Sequence, residues 1–126
     1  MFQDSEPFSS FAVDDVAKAR QFYGQTLGMR VSDEKLGLLR LHNGSDKGIL
    51  VYSKPDHTPA SFTILNFPVE DIDRAVDELT RRGVTFERYV GFEIDEKGIH
   101  RNDDPPVSPT AWFKDSAGNV LSLIEE

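Results

Sequence analysis

Few side chains in this sequence could act as an acid, a base or a nucleophile. His42, Tyr52 and Glu93 are the candidates for proton transfer, because imidazole, phenol and carboxyl groups can exchange a proton during a reaction. No motif spacing ties them to one reaction, so whether the protein is an enzyme stays open. The absence of cysteine excludes disulfides, thiolate metal ligands and a thiolate nucleophile.

Other residues point to ligand recognition. Trp112 is the only tryptophan and starts a predicted strand, where its ring could stack on a planar or cationic ligand or could instead cover the core. Asn66 stands between two apolar residues, Leu65 and Phe67, and a buried amide needs a partner from the backbone or from a ligand. Asn66 is therefore the best single candidate for a polar contact.

Size and charge narrow the classes of function. A chain of 126 residues forms a single domain, residues 1–126, large enough for its own core. A net charge of −8 argues against binding to nucleic acid or to an anionic membrane surface. No apolar run approaches the roughly 18 residues that a membrane helix needs, and the start does not resemble a signal peptide. The default expectation is a cytoplasmic protein.

The hydrophobic pattern predicts β-α-β-β-β twice. In the first half a carboxylate, Asp14 or Asp15, caps a helix that ends at Gly28. In the second half Asp71 caps the helix and Gly83 ends it. The predicted strands cover residues 8–13, 29–33, 36–42, 49–53, 62–69, 84–90, 110–114 and 120–124.

The two halves form an internal repeat. Shifting the first half by 56 places puts Phe11 on Phe67 and Asp15 on Asp71. Residues 7–54 form the first module, the proline-containing segment 55–60 is the linker, and residues 61–126 form the second module. The long acidic segment 91–109 is expected to be either a functional lid or disordered.

One helix covers only one face of each sheet, and strand alternation predicts which residues occupy the open face. Apolar residues such as Val13 and Leu121 face the helix, whereas the opposite face is mixed, as in a cleft lined for a ligand or a partly hydrated sheet. The predicted ligand contacts are Phe8, Ser10, His42, Tyr52, Ile64, Asn66, Trp112 and Ser122.

The run 13–23, Val-Asp-Asp-Val-Ala-Lys-Ala-Arg-Gln-Phe-Tyr, continued by Leu-Gly-Met at 27–29, resembles the vicinal oxygen chelate superfamily. This is the glyoxalase, bleomycin-resistance and extradiol-dioxygenase group. The segments 69–72 and 113–119 match the same pattern in the second half. The resemblance implies an α+β fold of two paired βαβββ modules, with a curved mixed sheet around a cleft and the helices outside. It also implies a homodimer.

Enzymes of this group hold a divalent metal with His and Glu ligands from the first and last strands of each module. The corresponding positions here are Phe8, Ile64, Val51 or Tyr52, and Ser122, and none is His, Asp or Glu. We therefore expect no metal and no other cofactor.

The leading hypothesis is a metal-free protein that binds a small organic molecule in the cleft between its modules, as in bleomycin resistance. One alternative is a lyase, isomerase or dioxygenase with a relocated metal or a metal-independent acid–base mechanism. Another is a non-catalytic interaction module.

Overall fold

The computed structural model describes all 126 residues, which divide into two compact units, Met1–Thr58 and Pro59–Glu126. Each is described by itself. The fold is α+β, as predicted, with one α-helix and one mixed sheet in each unit. None of its helices has the length and apolar character needed to cross a membrane. The elements are β1 (Ser10–Val13), α1 (Val16–Gln21), a π-helical turn (Phe22–Thr26), β2 (Arg30–Asp33), a 3-10 turn (Lys35–Gly37), β3 (Leu39–His42), β4 (Ile49–Ser53), β5 (Thr63–Val69), α2 (Ile72–Arg81), β6 (Thr110–Lys114) and β7 (Val120–Glu125).

The first unit is a four-stranded sheet in the order β1-β4-β3-β2, in which β1 runs parallel to β4. Asp15 caps α1, and its carboxylate accepts from the backbone N–H of Lys18 at 3.2 Å. The helix-facing side is apolar: Val13 and Val51 are fully buried, as is Tyr23. The ring of Tyr23 lies 5.7 Å from that of Phe11 on β1. This packing holds the helix on one face of the sheet and leaves the other face for polar residues.

The second unit is a three-stranded sheet in the order β5-β7-β6 with α2 against it. Asp71 caps α2 by accepting from the N–H of Arg74 at 3.1 Å. Ile72, Val76 and Leu79 are buried along one side of this helix. They recur at the spacing of one helical face, which is the amphipathic pattern that the sequence shows.

Two predicted elements of the first unit differ in the structure. The helix predicted to continue to Gly28 leaves the α conformation after Gln21 and ends in the π-helical turn, closed by a hydrogen bond from the N–H of Leu27 to the carbonyl of Phe22 at 2.9 Å. The strand predicted over residues 36–42 begins at Leu39 instead. The preceding residues Leu36 and Gly37 adopt positive φ, 63° and 76°, which no strand tolerates.

The strand predicted over residues 84–90 is wrong as a regular strand. Phe86 makes a single antiparallel bridge to Phe113, and the N–H of Glu87 donates to the carbonyl of Trp112 at 2.7 Å. Further along the same edge of β6, Thr110 pairs with His100 instead. Two separate segments therefore share this edge, and neither has room to form a full strand.

Candidate functional site

The open face of the first sheet carries the predicted contacts Ser10, Tyr52 and His42, as alternation predicts. Ser10 pairs with Leu50, which in turn pairs with Arg40. The structure does not bring His42 and Tyr52 together. The β3–β4 register separates them by four residues along the sheet, about 13 Å at strand spacing. His42 and Tyr52 are therefore not neighbours on the sheet, and each stays a separate candidate for proton transfer.

His42 has a partner within its own sheet. Its Nε2 lies 2.8 Å from the hydroxyl oxygen of Ser32 on β2, and the residue is half-buried. This is the environment of a histidine satisfied by its own fold.

Phe8 lies just outside β1, which begins at Ser10, and its side chain is 49% exposed. Two cations lie near its ring: the guanidinium carbon of Arg40 is 5.9 Å and the Nζ of Lys47 is 5.7 Å from the centroid. Arg40 also donates to the carboxylate of Glu34 at 2.9 Å and to the carbonyl of Lys47. The charges at the centre of this face are thus largely neutralised within the unit.

The second sheet brings three predicted contacts into one row. Asn66 on β5 pairs with Ser122 on β7, which pairs with Trp112 on β6. Ser122 is fully buried, and its hydroxyl donates to the Oδ1 of Asn66 at 2.6 Å. This bond occupies the acceptor of the exposed amide and leaves its Nδ2 donors facing solvent. Ile64 lies where the β5–β7 register shifts, and it is half-buried.

Trp112 stands at the centre of an aromatic cluster formed with Tyr89, Phe92 and His100. The ring centroids of Tyr89 and Phe92 lie 5.7 and 5.1 Å from that of Trp112. The imidazole of His100 is stacked on the indole at 5.9 Å with an interplanar angle of 28°. Phe92 is 48% exposed. We use the name aromatic platform for these four residues.

One polar atom of the platform has no partner. The hydroxyl of Tyr89 is buried and makes no hydrogen bond. Burial of the phenol raises the pKa of Tyr89, with a smaller contribution from the negative charge of Glu87. The hydroxyl therefore stays protonated and is a donor without an acceptor, which costs free energy unless something else satisfies it.

Glu93, a predicted candidate for proton transfer, lies beside the aromatic platform. The residue is exposed, and its backbone carbonyl accepts a hydrogen bond from the Nδ1 of His100 at 2.8 Å. Beside it lies a shallow cavity of about 250 Å³, lined by Glu93, Ile94, Asp95, Ile99 and Arg101.

The acidic segment is ordered around residues 94–100, a hairpin whose two ends pair through Ile94 and His100. The ammonium of Lys97 contacts the carboxylates of Asp73 and Asp77 on α2 at 3.1 and 3.0 Å. Arg101 reaches Asp73 at 2.8 Å. These ion pairs attach the hairpin to α2 and neutralise much of the local charge.

The residues do not fit a metal of the kind that the resemblance implies. The repeat pairs Ser10 with Leu50 as it pairs Asn66 with Ser122, so Leu50, rather than Val51 or Tyr52, is equivalent to Ser122. A leucine and a serine offer neither imidazole nor carboxylate. No group of three or more His, Asp or Glu side chains is placed to hold an ion anywhere in the chain.

Comparison with known proteins supplies the family. Residues 8–123 match the profile of the Glyoxalase/Bleomycin resistance protein/Dioxygenase superfamily. The chain belongs to this superfamily. Comparison with curated protein sequences finds no significant match.

Among solved structures, this superfamily member resembles TnmS3, an antibiotic binding protein from Streptomyces sp. CB03234, with 25% identity, a TM-score of 0.66 and 95% of each chain covered. A superfamily member from Sphaerobacter thermophilus DSM 20745 is 26% identical, with a TM-score of 0.65 over 96% of this chain and 98% of the other. A lactoylglutathione lyase from Agrobacterium tumefaciens shares the fold at 20% identity, with a TM-score of 0.63 over 96% and 93%.

Sequence reasoning misses His100 as a member of the aromatic platform, because this histidine lies in a charged loop. One signal was present. Asp95 and Gly98 stand at the first and fourth positions of a potential type I turn, and apolar residues, Ile94 and Ile99, flank it. That pattern predicts a short hairpin, which would have set His100 beside the strand that carries Trp112.

Proposed function

We propose that this protein binds a small organic molecule and that the second module supplies the main contacts, from Asn66, Ser122 and the aromatic platform. The observation that supports this most is the row of Asn66, Ser122 and Trp112 across three strands. It combines a free amide donor with a group of rings, of which Phe92 is half-exposed. Ligand sites commonly combine apolar rings with a few oriented polar groups.

We propose binding without a metal because the usual ligand positions carry other residues. Where the superfamily resemblance implies a metal-binding carboxylate, Ser122 instead donates to Asn66. We propose that the oriented amide recognises an oxygen acceptor of the ligand. Sequestration of such a ligand is the function that this arrangement supports best, and the resemblance to an antibiotic binding protein supports small-molecule binding.

We also propose ligand contacts from the first module, a homodimer and a cellular location. Phe8, Ser10, His42 and Tyr52 are proposed as additional ligand contacts. We further propose that the protein acts as a homodimer, as the family resemblance implies, in the cytoplasm, where a chain without cysteine needs no oxidising conditions. Light scattering coupled to gel filtration would test the dimer.

Trp112 provides the assay, because it is the only tryptophan and belongs to the proposed site. We expect metal-free bleomycin, or members of a library of planar aromatic antibiotics, to quench its fluorescence saturably, with one site per chain and no effect of a chelator. Calorimetry with the same compounds checks the stoichiometry independently.

Two results would overturn the proposal. One is the absence of saturable binding by every compound tested up to millimolar concentration. The other is one tightly bound divalent ion per chain in protein purified without chelators, because such an ion would restore the enzymatic hypothesis.

A further inference from the structure

His100 is held firmly on the open face of the second sheet. Its backbone N–H donates to the carbonyl of Thr110 at 2.7 Å, and its carbonyl accepts from the N–H of Thr110 at 3.1 Å. Thr110 precedes Trp112 by two residues, so alternation puts both on the same face. The stacking of the imidazole on the indole follows from this pairing.

The hydrogen bond to Glu93 fixes the tautomer of this histidine. The acceptor is a carbonyl oxygen, which cannot donate, so Nδ1 must carry the proton. In the neutral imidazole the Nε2 atom is then an acceptor. No protein donor contacts Nε2.

The hairpin that carries His100 is closed by hydrogen bonds to the side chain of one of its turn residues, Asp95. The Oδ1 of Asp95 accepts from the N–H groups of Lys97 and Ile99, both at 2.9 Å. Gly98 has φ 98°, and a Cβ atom there would lie 2.7 Å from the Cβ of Phe86, so the turn requires glycine at this position and packs closely against Phe86. The acceptor atom is therefore positioned in advance of any ligand.

We infer that His100 is a specificity-determining residue that recognises an O–H or N–H donor on a planar aromatic ligand lying against the platform. This inference rests on the proposed function and narrows its ligand class. The ligand presents a ring to Trp112 and Phe92, an acceptor to the amide of Asn66 and a donor to the Nε2 of His100. A ligand that lacks the donor leaves Nε2 without water or partner, and that is the source of discrimination.

The test uses two probes with the same ring, 2-naphthol, which has an O–H donor, and 2-methoxynaphthalene, which lacks it. Affinities are measured on the full chain by quenching of Trp112 fluorescence. We expect the wild type to prefer 2-naphthol by about tenfold, the size of one hydrogen bond. His100→Phe keeps a ring but removes the acceptor and should bring the ratio close to one. His100→Gln retains an acceptor and should restore part of the preference.

Glu96→Ala is the matched control, because it removes an exposed carboxylate of the same hairpin and leaves in place the Glu93 carbonyl that orients His100. It should leave the preference unchanged. If both probes bind and His100→Phe keeps the wild-type ratio, the role of His100 is wrong while the proposed site stands. If neither probe binds but an antibiotic from the library does, the planar donor class is wrong and small-molecule binding stands. If nothing binds, both proposals fail.

Discussion

In both modules the first strand pairs parallel to the last, and the last pairs antiparallel to the strand before it, but the open faces of the two sheets present different residues. At equivalent positions the first sheet has Ser10, Leu50 and Arg40, and the second has Asn66, Ser122 and Trp112. In the first row the charged member is an arginine engaged by Glu34. In the second row a buried serine orients an amide whose donors stay free, beside four clustered rings. A duplicated scaffold can thus keep its core and place its recognition chemistry mainly in one copy.

The turns before the last strand of each module give the largest expected difference. In the second module, buried Asp115 accepts from the N–H groups of Ala117 and Asn119 at 2.8 and 2.9 Å and from the side-chain amide of Asn119 at 3.0 Å. In the first module, exposed Asn43 accepts only from the N–H of Ser45, at 3.1 Å. We expect Asp115→Ala to lower the free energy of unfolding by about 3 kcal/mol, because it leaves buried donors unpaired.

Asn43→Ala is the matched change in the first module and should lower the free energy of unfolding by about 0.5 kcal/mol, because water replaces the lost acceptor. Urea unfolding followed by circular dichroism measures both variants. Equal losses for the two variants would contradict the view that only the second turn is built into a core.

The next largest difference between the two modules is expected in how much each row of side chains contributes to ligand affinity. Trp112→Ala is expected to weaken aromatic ligands by about thirtyfold, in line with stacking energies of about 1–3 kcal/mol. Arg40→Ala, at the equivalent position of the first sheet, should change affinity by about twofold or less, a shift of roughly 0.4 kcal/mol. Calorimetry is the measurement, since the first variant removes the fluorophore. A greater loss with Arg40→Ala would move the main contacts to the first module.

The smallest effect concerns the attachment of the hairpin. Lys97, with Arg101 nearby, holds the pKa of Asp73 below its usual range. Hydrogen bonds to Asp77 and Asp73 raise the pKa of Lys97. The stability that charged Asp73 contributes is present above the ordinary aspartate pKa and is lost as pH falls through the lowered pKa. The stability that charged Lys97 contributes is present below the ordinary lysine pKa and is lost as pH rises through the raised pKa.

We therefore expect wild-type Trp112 fluorescence to change in acid before the protein unfolds, as the hairpin loosens. In Asp73→Asn this acid transition should be absent or much smaller. Asp33→Asn removes the comparable exposed ion pair with Arg20 in the first module and should leave the transition unchanged. An identical acid transition in all three proteins would show that the ion pairs do not hold the platform.

The capped helices, the repeat and the facing of the strands could be predicted from the sequence, because they depend on local periodicity. Asp15, Asp71 and the row through Ser122 illustrate this. The aromatic platform could not be predicted from the sequence, because Tyr89, Phe92 and His100 contact Trp112 only through irregular segments that share one edge of β6. Such sharing depends on tertiary competition for hydrogen bonds, which no periodic pattern records. The contact between the backbone carbonyl of Glu93 and His100 could not be predicted for the same reason, because the sequence points only to the carboxyl group of Glu93.

The closed turn at Asp95 also bears on how fast a ligand would be taken up. A hairpin held by its own carboxylate and fastened to α2 does not need to order itself after an encounter. Observed association rates should then rise linearly with ligand concentration, limited by diffusion and orientation rather than by a slow isomerisation. Differences in affinity among ligands would lie in how long each one stays.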